Sequence, residues 1–303
     1  MINFLKYKWA YLSISLLVLV PGIFSLGTWG LKPSIDFVGG TVIEMKKREG
    51  FDKEKLEAAL IMQNIEIDSL REEDDVLTVR AKPVDRDAWE QVKSQLNGTP
   101  ATDSAGMIVE ATMSGVLEEL RFETVGPLLG AELLQKTLVA VVIAVVGILL
   151  YVAWAFKNIR YGISAIIALF HDVLVVIGIF SLLGHFYNVE VDALFVTAVL
   201  TTMSFSVHDT IVVFDRIRES LRREKLPFDV TINKALTETM TRSINNSMTI
   251  MFMLLALVLL GGETIKWFAV ALLIGTVSGT YSSPFVATPV LWMLNRKNIR
   301  AAI

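Results

Sequence analysis

Residues 204–219 read SFSVHDTIVVFDRIRE. They continue an apolar run, Ala193 to Met203, that has the makings of a membrane crossing. Ser204, Ser206, His208 and Asp209 nevertheless interrupt it before Ile211, Val212, Val213 and Phe214 resume and Asp215-Arg216 close it. A charged side chain at the centre of a span costs about 2.5–3.5 kcal/mol on insertion scales, so it persists where it faces protein or water, and is usually functional. Asp209 lies six residues before Asp215, about 9 Å of helix at roughly 1.5 Å per residue. If the helix leaves the membrane at Asp215, Asp209 sits in the inner half of the bilayer. Thr202, Ser206 and Asp209 recur at i, i+4, i+7 and form one polar stripe on an apolar helix.

The rest of the chain supports a membrane reading. Of its 303 residues 53% are hydrophobic, and the mean hydropathy is +0.55. One soluble core of this size cannot hide that much apolar surface. About 20 apolar residues cross the hydrocarbon layer as a helix, and six stretches approach that length: Trp9–Leu31, Thr137–Phe156, Tyr161–Leu183, Val191–Phe214, Ile244–Leu260 and Trp267–Leu294. The first follows Lys6 and Lys8 but is too long for a signal-peptide core and lacks a small-x-small cleavage site, so it reads as an uncleaved anchor. Pro21-Gly22 is expected to kink it. Cysteine is absent, which excludes disulfides and thiolate chemistry. Three histidines, far apart in sequence, suggest no metal site. A net charge of −3 gives no sign of a nucleic-acid partner.

Basic residues at short loops set orientation. Lys6, Lys8, Lys157 and Arg160 flank one side, joined by Arg216, Arg218, Arg222, Arg223, Lys225, Lys234 and Arg242 in the 215–242 loop and by Arg296, Lys297 and Arg300. The alternate loops are nearly bare. The expected organisation is therefore residues 1–31 as cytoplasmic N-terminus and first span, and 32–130 as an extracytoplasmic domain. A five-helix bundle over 131–295 with the cytoplasmic loop 215–242 follows, then a cytoplasmic C-terminus at 296–303.

Within 32–130 the periodicity changes. Strand-like alternation at Thr41–Met45, a helix over Asp52–Asn64, strands at Ile65–Leu70 and Val76–Ala81, a helix over Asp85–Leu96 and a strand at Leu117–Val125 give the order βαββαβ, a ferredoxin-like α+β sandwich. Such a scaffold says nothing of function alone. Residues 97–106 read as a flexible loop. Gly39-Gly40 reads as a turn into the first strand, with Asp36 as a local cap.

The fifth span carries a counterpart to the stripe around Asp209. Arg242, Asn246 and Thr249 also recur at i, i+4, i+7, at the same membrane depth. An Asp209–Arg242 ion pair, or a watery pocket holding both, fits that placement. Arg242 also fits an interfacial anchor, and the pair a register-fixing contact. His171-Asp172 in the third span reads either as a second proton site or as a structural hydrogen-bonded pair, and His208 divides the same way. Gly275, Gly279 and Ser283 form a small-residue seam for close helix approach. Neither the Gly-x-Gly-Asp of an intramembrane aspartyl protease nor the Gly-x-Ser-x-Gly of a rhomboid-type protease is present, and no phosphate-binding loop occurs. A proton-driven transport subunit and a membrane scaffold remain.

Ile35-Asp36-Phe37-Val38-Gly39-Gly40-Thr41, Val125-Gly126-Pro127, Leu169-Phe170-His171-Asp172-Val173, Ser206 to Glu219 and Arg242-Ser243 resemble, in order and over nearly the whole chain, the motifs of the SecF family. These are the smaller membrane subunits of the bacterial SecD/SecF protein-export complex, within the resistance-nodulation-division superfamily. The resemblance implies a non-enzymatic subunit of the bacterial inner membrane that works with SecD, late in export through the SecYEG translocon, driven by the proton-motive force. It implies SecD, SecYEG, YajC and unfolded exported polypeptides as partners, protons as the coupling ion and no other cofactor. It matches Asp209 and Arg242 to a proton-transporting aspartate and arginine. Thr202, Ser206, His208, Asn246 and Thr249 are candidate supporting residues by their placement on the two helices, His208 and Asn246 standing where the family usually has Asn and Thr. The alternatives are a drug or solute exporter subunit of that superfamily, which would need twelve spans in one chain, and a non-transporting scaffold.

Overall fold

Alternation along Val76–Ala81 buries Leu77, Val79 and Ala81 and leaves Val76, Thr78 and Arg80 half-exposed, the period-two signature of a strand with one covered face. The computed structural model describes residues 3–48, 51–73, 75–97, 117–156, 158–224 and 226–300. It divides into two compact units, Pro33–Lys136 and Met1–Lys32 with Thr137–Ile303.

In the first unit, strands β1 (Gly40–Lys47), β2 (Ile67–Glu73), β3 (Val76–Ala81) and β4 (Leu117–Val125) form an antiparallel sheet of order β2-β3-β1-β4. Helices α3 (Lys53–Met62) and α4 (Arg86–Asn97) complete the ferredoxin-like βαββαβ order. Ile43, Met45, Leu77 and Val79 from the sheet pack with Leu56 and Leu60 of α3 and Trp89 and Val92 of α4, all fully buried. The expected loop at 97–106 lies outside the described residues, save Asn97 at the end of α4. The segment before β1 is a short helix, α2 (Ile35–Val38), and its cap is Ser34, whose hydroxyl accepts from the Asp36 N–H. Asp36 is thus the capped residue rather than the cap. Gly39 follows with φ of +77°, and a Cβ there would lie 2.8 Å from Cα of Pro127. Both the left-handed backbone and the contact demand glycine.

The second unit is helical. Six of its helical stretches are long and apolar enough to cross a membrane. Helix α1 (Lys8–Thr28) runs through Pro21, followed by α5 (Pro127–Ala155), which starts in the other unit, α6 (Ile159–Tyr187), α7 (Ala193–Arg223) and α8 (Phe228–Leu260). The sixth crossing is not one regular helix. Helix α9 (Glu263–Ser282) passes through a π-turn at Ser283–Ala287 into α10 (Thr288–Arg300). Pro284 lies in that turn and cannot donate to the preceding carbonyls, and the Ser282 and Ser283 hydroxyls donate to the Gly279 carbonyl at 3.3 Å.

The expected 215–242 loop is mostly helix. Helix α7 continues to Arg223 and α8 starts at Phe228, so the two form an antiparallel hairpin. Its inner faces bury Ile217, Ile232, Ala235 and Leu236 with Phe4 and Leu5. Its charged faces pair Arg216 with Glu238 at 2.6 Å and Lys234 with Glu224. Charge density hid a helical period whose apolar positions continue from the membrane-spanning part.

Candidate functional site

Asp172 stands near the middle of α6 and is wholly buried. Its carboxylate joins three helices. Ser206 of α7 donates to Oδ2 at 2.5 Å. From α9, Ser282 donates to Oδ2 at 2.6 Å and Ser278 to Oδ1 at 2.6 Å. His171 Nδ1 lies 3.0 Å from Oδ1. Two partners on each oxygen fill the acceptor capacity of a carboxylate. His171 is buried too, and its Nε2 has no hydrogen-bond partner among the described residues.

The polar stripe of α7 faces this cluster along a close seam with α9. Thr202 lies over Gly275, Ser206 over Gly279, and Thr210 against Ser283, whose hydroxyls are 3.0 Å apart. A Cβ on Gly275 would fall 2.1 Å from Thr202 Oγ1. The seam expected from Gly275, Gly279 and Ser283 is therefore internal to this bundle, where it lets α9 bring its serines to Asp172.

Asp209 belongs to a different setting. It lies three residues beyond Ser206, about 4.5 Å along the helix, and turns towards α8. Ser243 Oγ donates to its Oδ2 at 2.6 Å. The side chain is only part-buried, and the neighbouring His208 is exposed. The suggested Asp209–Arg242 ion pair is not formed. Arg242 is exposed beside Ser243, and Asn246 and Thr249 lie on the same exposed side of α8. A periodicity of i, i+4, i+7 gave a common face but not its direction, and α8 turns Ser243 and Ser247 rather than that face towards the bundle.

The structure thus brings together Ser206, His171 and Asp172, and separately Asp209 and Ser243. Arg242, Asn246, Thr249 and His208 remain outside both hydrogen-bonded groups. Ser278 and Ser282 escaped the sequence reading. Their spacing of four beside the Gly275–Gly279 seam was the signal, since it puts two hydroxyls on one face of an apolar helix.

Residues 107–297 match the family of the protein export membrane protein SecD/SecF, C-terminal, and residues 24–46 match the SecD/SecF GG motif, which contains the Gly39 turn. A protein translocase subunit SecF from Thermobaculum terrenum is 43% identical, over 96% of this chain and 93% of its own length. One from Anaerolinea thermophila is 37% identical, over 96% and 94%. The crystal structure of SecDF, a translocon-associated membrane protein from Thermus thermophilus, aligns with a TM-score of 0.78 at 29% identity. It covers 98% of this chain, which spans 39% of that longer SecDF chain. By sequence over almost its full length and by fold, the chain belongs to the SecF family of SecD/SecF protein-export membrane proteins.

Proposed function

We propose that this multi-pass membrane protein is an accessory subunit of the Sec protein translocase that acts with SecD and converts proton movement into work on late export steps through SecYEG. The observation that carries the proton-coupled part is Asp209. It is a carboxyl group in a long apolar helix, part-buried, held by a single hydroxyl from the next helix, with the exposed His208 beside it in sequence. A carboxyl group so placed can hold or release one proton while α7 and α8 shift against each other. Arg242 adjoins Ser243 in sequence, so a rotation of α8 by about 100° exchanges a hydroxyl partner of Asp209 for a cationic one. Thr202 and Ser206 support α7 from the other side, and Asn246 and Thr249 continue the polar face of Arg242.

In this reading protons are the coupling ion and no other cofactor takes part. The bacterial inner membrane is the location, with both termini and the α7–α8 hairpin cytoplasmic, as the basic residues favour. The extracytoplasmic ferredoxin-like domain meets unfolded exported polypeptides, and YajC joins SecD and SecYEG as a neighbour. A proton crossing releases about 2.3 kcal/mol per 100 mV, enough to bias a two-state equilibrium about fiftyfold.

The test is export into membrane vesicles with and without a proton gradient. Asp209→Asn keeps the shape but holds no exchangeable carboxyl proton, so it should assemble normally and lose the gradient-dependent part of export. Asp209→Glu should keep part of it. Undiminished gradient dependence in Asp209→Asn would sink the proposal. A scaffold in which Asp209 only fixes the α7–α8 register, as its bond to Ser243 permits, predicts lost stability instead.

A further inference from the structure

At the end of the bundle where α5 hands over to α6, Phe156, Asn158, Tyr161, Arg218, Leu221 and Arg222 line a cavity of about 350 Å³. Its base is aromatic. Phe156 and Tyr161 are buried, and both pack against Phe214, with ring centroids 5.6 Å and 5.3 Å away. Its polar wall is cationic. Arg218 reaches the Ala155 carbonyl at 3.5 Å, and its nearest carboxylate, Asp215, is 3.8 Å away with a side chain 77% exposed. No carboxylate among the described residues pairs with Arg222. The other two arginines of this turn of α7 behave differently: Arg216 is held by Glu219 and Glu238, and Arg223 by Glu219. Two guanidiniums four residues apart on one helix face are thus left to one cavity.

The depth of that cavity is marked by aromatic residues. Trp154 and Tyr151 on the last turns of α5 are 79% and 50% exposed, the placement of an interfacial belt whose rings sit among lipid headgroups. Ile159 beside them is also exposed. We propose that this cavity binds the phosphate group of an anionic phospholipid, with Arg218 and Arg222 as its donors and the exposed apolar surface of α5 alongside the acyl chains. Guanidinium geometry matches phosphate oxygens with paired N–H donors, and basic pockets between membrane helices are recurrent headgroup sites. The volume falls within the range of small-ligand sites. A soluble anion would need only the arginines. A lipid also accounts for the aromatic base and for the exposed tryptophan at the rim.

The test uses the full chain in its membrane complex, reconstituted in vesicles containing a trace of photo-crosslinking phosphatidylglycerol. The expected result is labelling of the 151–161 and 214–222 segments. Arg222→Gln should reduce it about fivefold, the worth of one basic residue near an anionic surface. Arg222→Lys should retain most of it, and Arg223→Gln, outside the cavity, all of it. Arg222 is exposed, so its replacement leaves the core packing untouched, and equal thermal unfolding of the variants checks this. Equal labelling in Arg222→Gln, or equal labelling by a phosphatidylcholine probe, overturns the site. Displacement by millimolar inorganic phosphate overturns the lipid as its ligand.

Discussion

Asp172 offers the sharpest test of how the bundle is held together. In Asp172→Ala, the hydroxyls of Ser206, Ser278 and Ser282 and the imidazole of His171 lose their common acceptor. Hydrogen bonds to a charged group are worth about 1.5–3 kcal/mol each when deleted singly, but four do not add, because the donors find substitutes. Ser282 Oγ already lies 3.3 Å from the Gly279 carbonyl. A buried donor left without an acceptor costs about 1–3 kcal/mol, and with some of the four finding substitutes a loss of about 3–5 kcal/mol is expected. Asp172→Asn should cost less, about 1–2 kcal/mol: its amide oxygen keeps two donors, and two serine hydroxyls turn to accept from the new NH₂ group, as hydroxyls can do both. Ser206→Ala deletes one of the four bonds singly and leaves the carboxylate three other partners, so about 1.5–3 kcal/mol is expected. Unfolding of the detergent-solubilised protein, followed by helical circular dichroism, should show Asp172→Ala as clearly the most destabilised of the three. If Asp172→Ala unfolds like the wild type, the three-helix junction is not what holds α6, α7 and α9 in register.

Three further outcomes are expected. Gly275→Ala puts a methyl 2.1 Å from Thr202 Oγ1 and should cost about 1–3 kcal/mol by overpacking, exceeding the roughly 1 kcal/mol that alanine gains in a helix; adding Thr202→Gly should recover much of it, and an additive double mutant would refute the contact. For the proposed topology, cysteines at Lys55 and Arg223, both with mostly exposed side chains, should differ in intact cells: an impermeant maleimide should label position 55 and spare 223, and the reverse would invert the orientation. In the ferredoxin-like unit, burial pushes the Glu119 carboxyl up, but hydrogen bonds from Lys93, Arg86 and Trp89 outweigh it and leave it below its ordinary value near 4.5. A depressed carboxyl contributes stability that is present above that value and lost as the pH falls below it, so the protection of α4 amides, taken relative to the slower intrinsic exchange in acid, should fall below about pH 4.5 in the wild type, and the fall should be weaker in Glu119→Gln.

Apolar length located all six crossings, and periodicity located the four strands and the two longer helices of the ferredoxin-like unit to within a few residues, Val76–Ala81 and Leu117–Val125 at both ends, but not the short α2. These signals are local: burial on one face fixes period two, and lipid fixes length. Three things were not legible for a common reason. The charged hairpin continuing α7 and α8 conceals Ile217, Ile232 and Leu236 among arginines and glutamates, so composition outweighed period. Periodicity assigned Arg242, Asn246 and Thr249 to one face, but only packing against α9 and α7 decides which face turns inward, and it is that of Ser243 and Ser247. The partners of Asp172 come from residues 34 to 110 positions away, a distance at which sequence spacing carries no register information. His171-Asp172 therefore looked subordinate to Asp209 although it sits at the junction of three helices.

The two intramembrane aspartates divide the labour by the number of helices they bind. Asp172 ties α6, α7 and α9 through three hydroxyls, so sliding any of these helices breaks at least one charge-assisted bond, and sliding α9 breaks two. Asp209 ties α7 to α8 through one. Breaking one such bond costs about 1.5–3 kcal/mol, comparable with the roughly 2.3 kcal/mol that one proton delivers per 100 mV. Sliding α9 out of the Asp172 junction breaks two such bonds and costs about twice that on the same scale. One proton therefore suffices, on the proposed mechanism, to move the membrane half of α8 against α7 and does not suffice to dismantle the junction. On the proposed mechanism α6, α7 and α9 then act as one rigid block, with motion confined to α8 beyond Ser243. The part of the hairpin around Arg216 stays closed meanwhile, because Arg216–Glu238 and the buried Ile217 and Ile232 hold it. A disulfide engineered across α7 and α9 should consequently leave gradient-dependent export intact, and one between α7 and the membrane half of α8 should abolish it until reduced. Loss of function from the α7–α9 disulfide would put the moving joint at the junction of Asp172 instead.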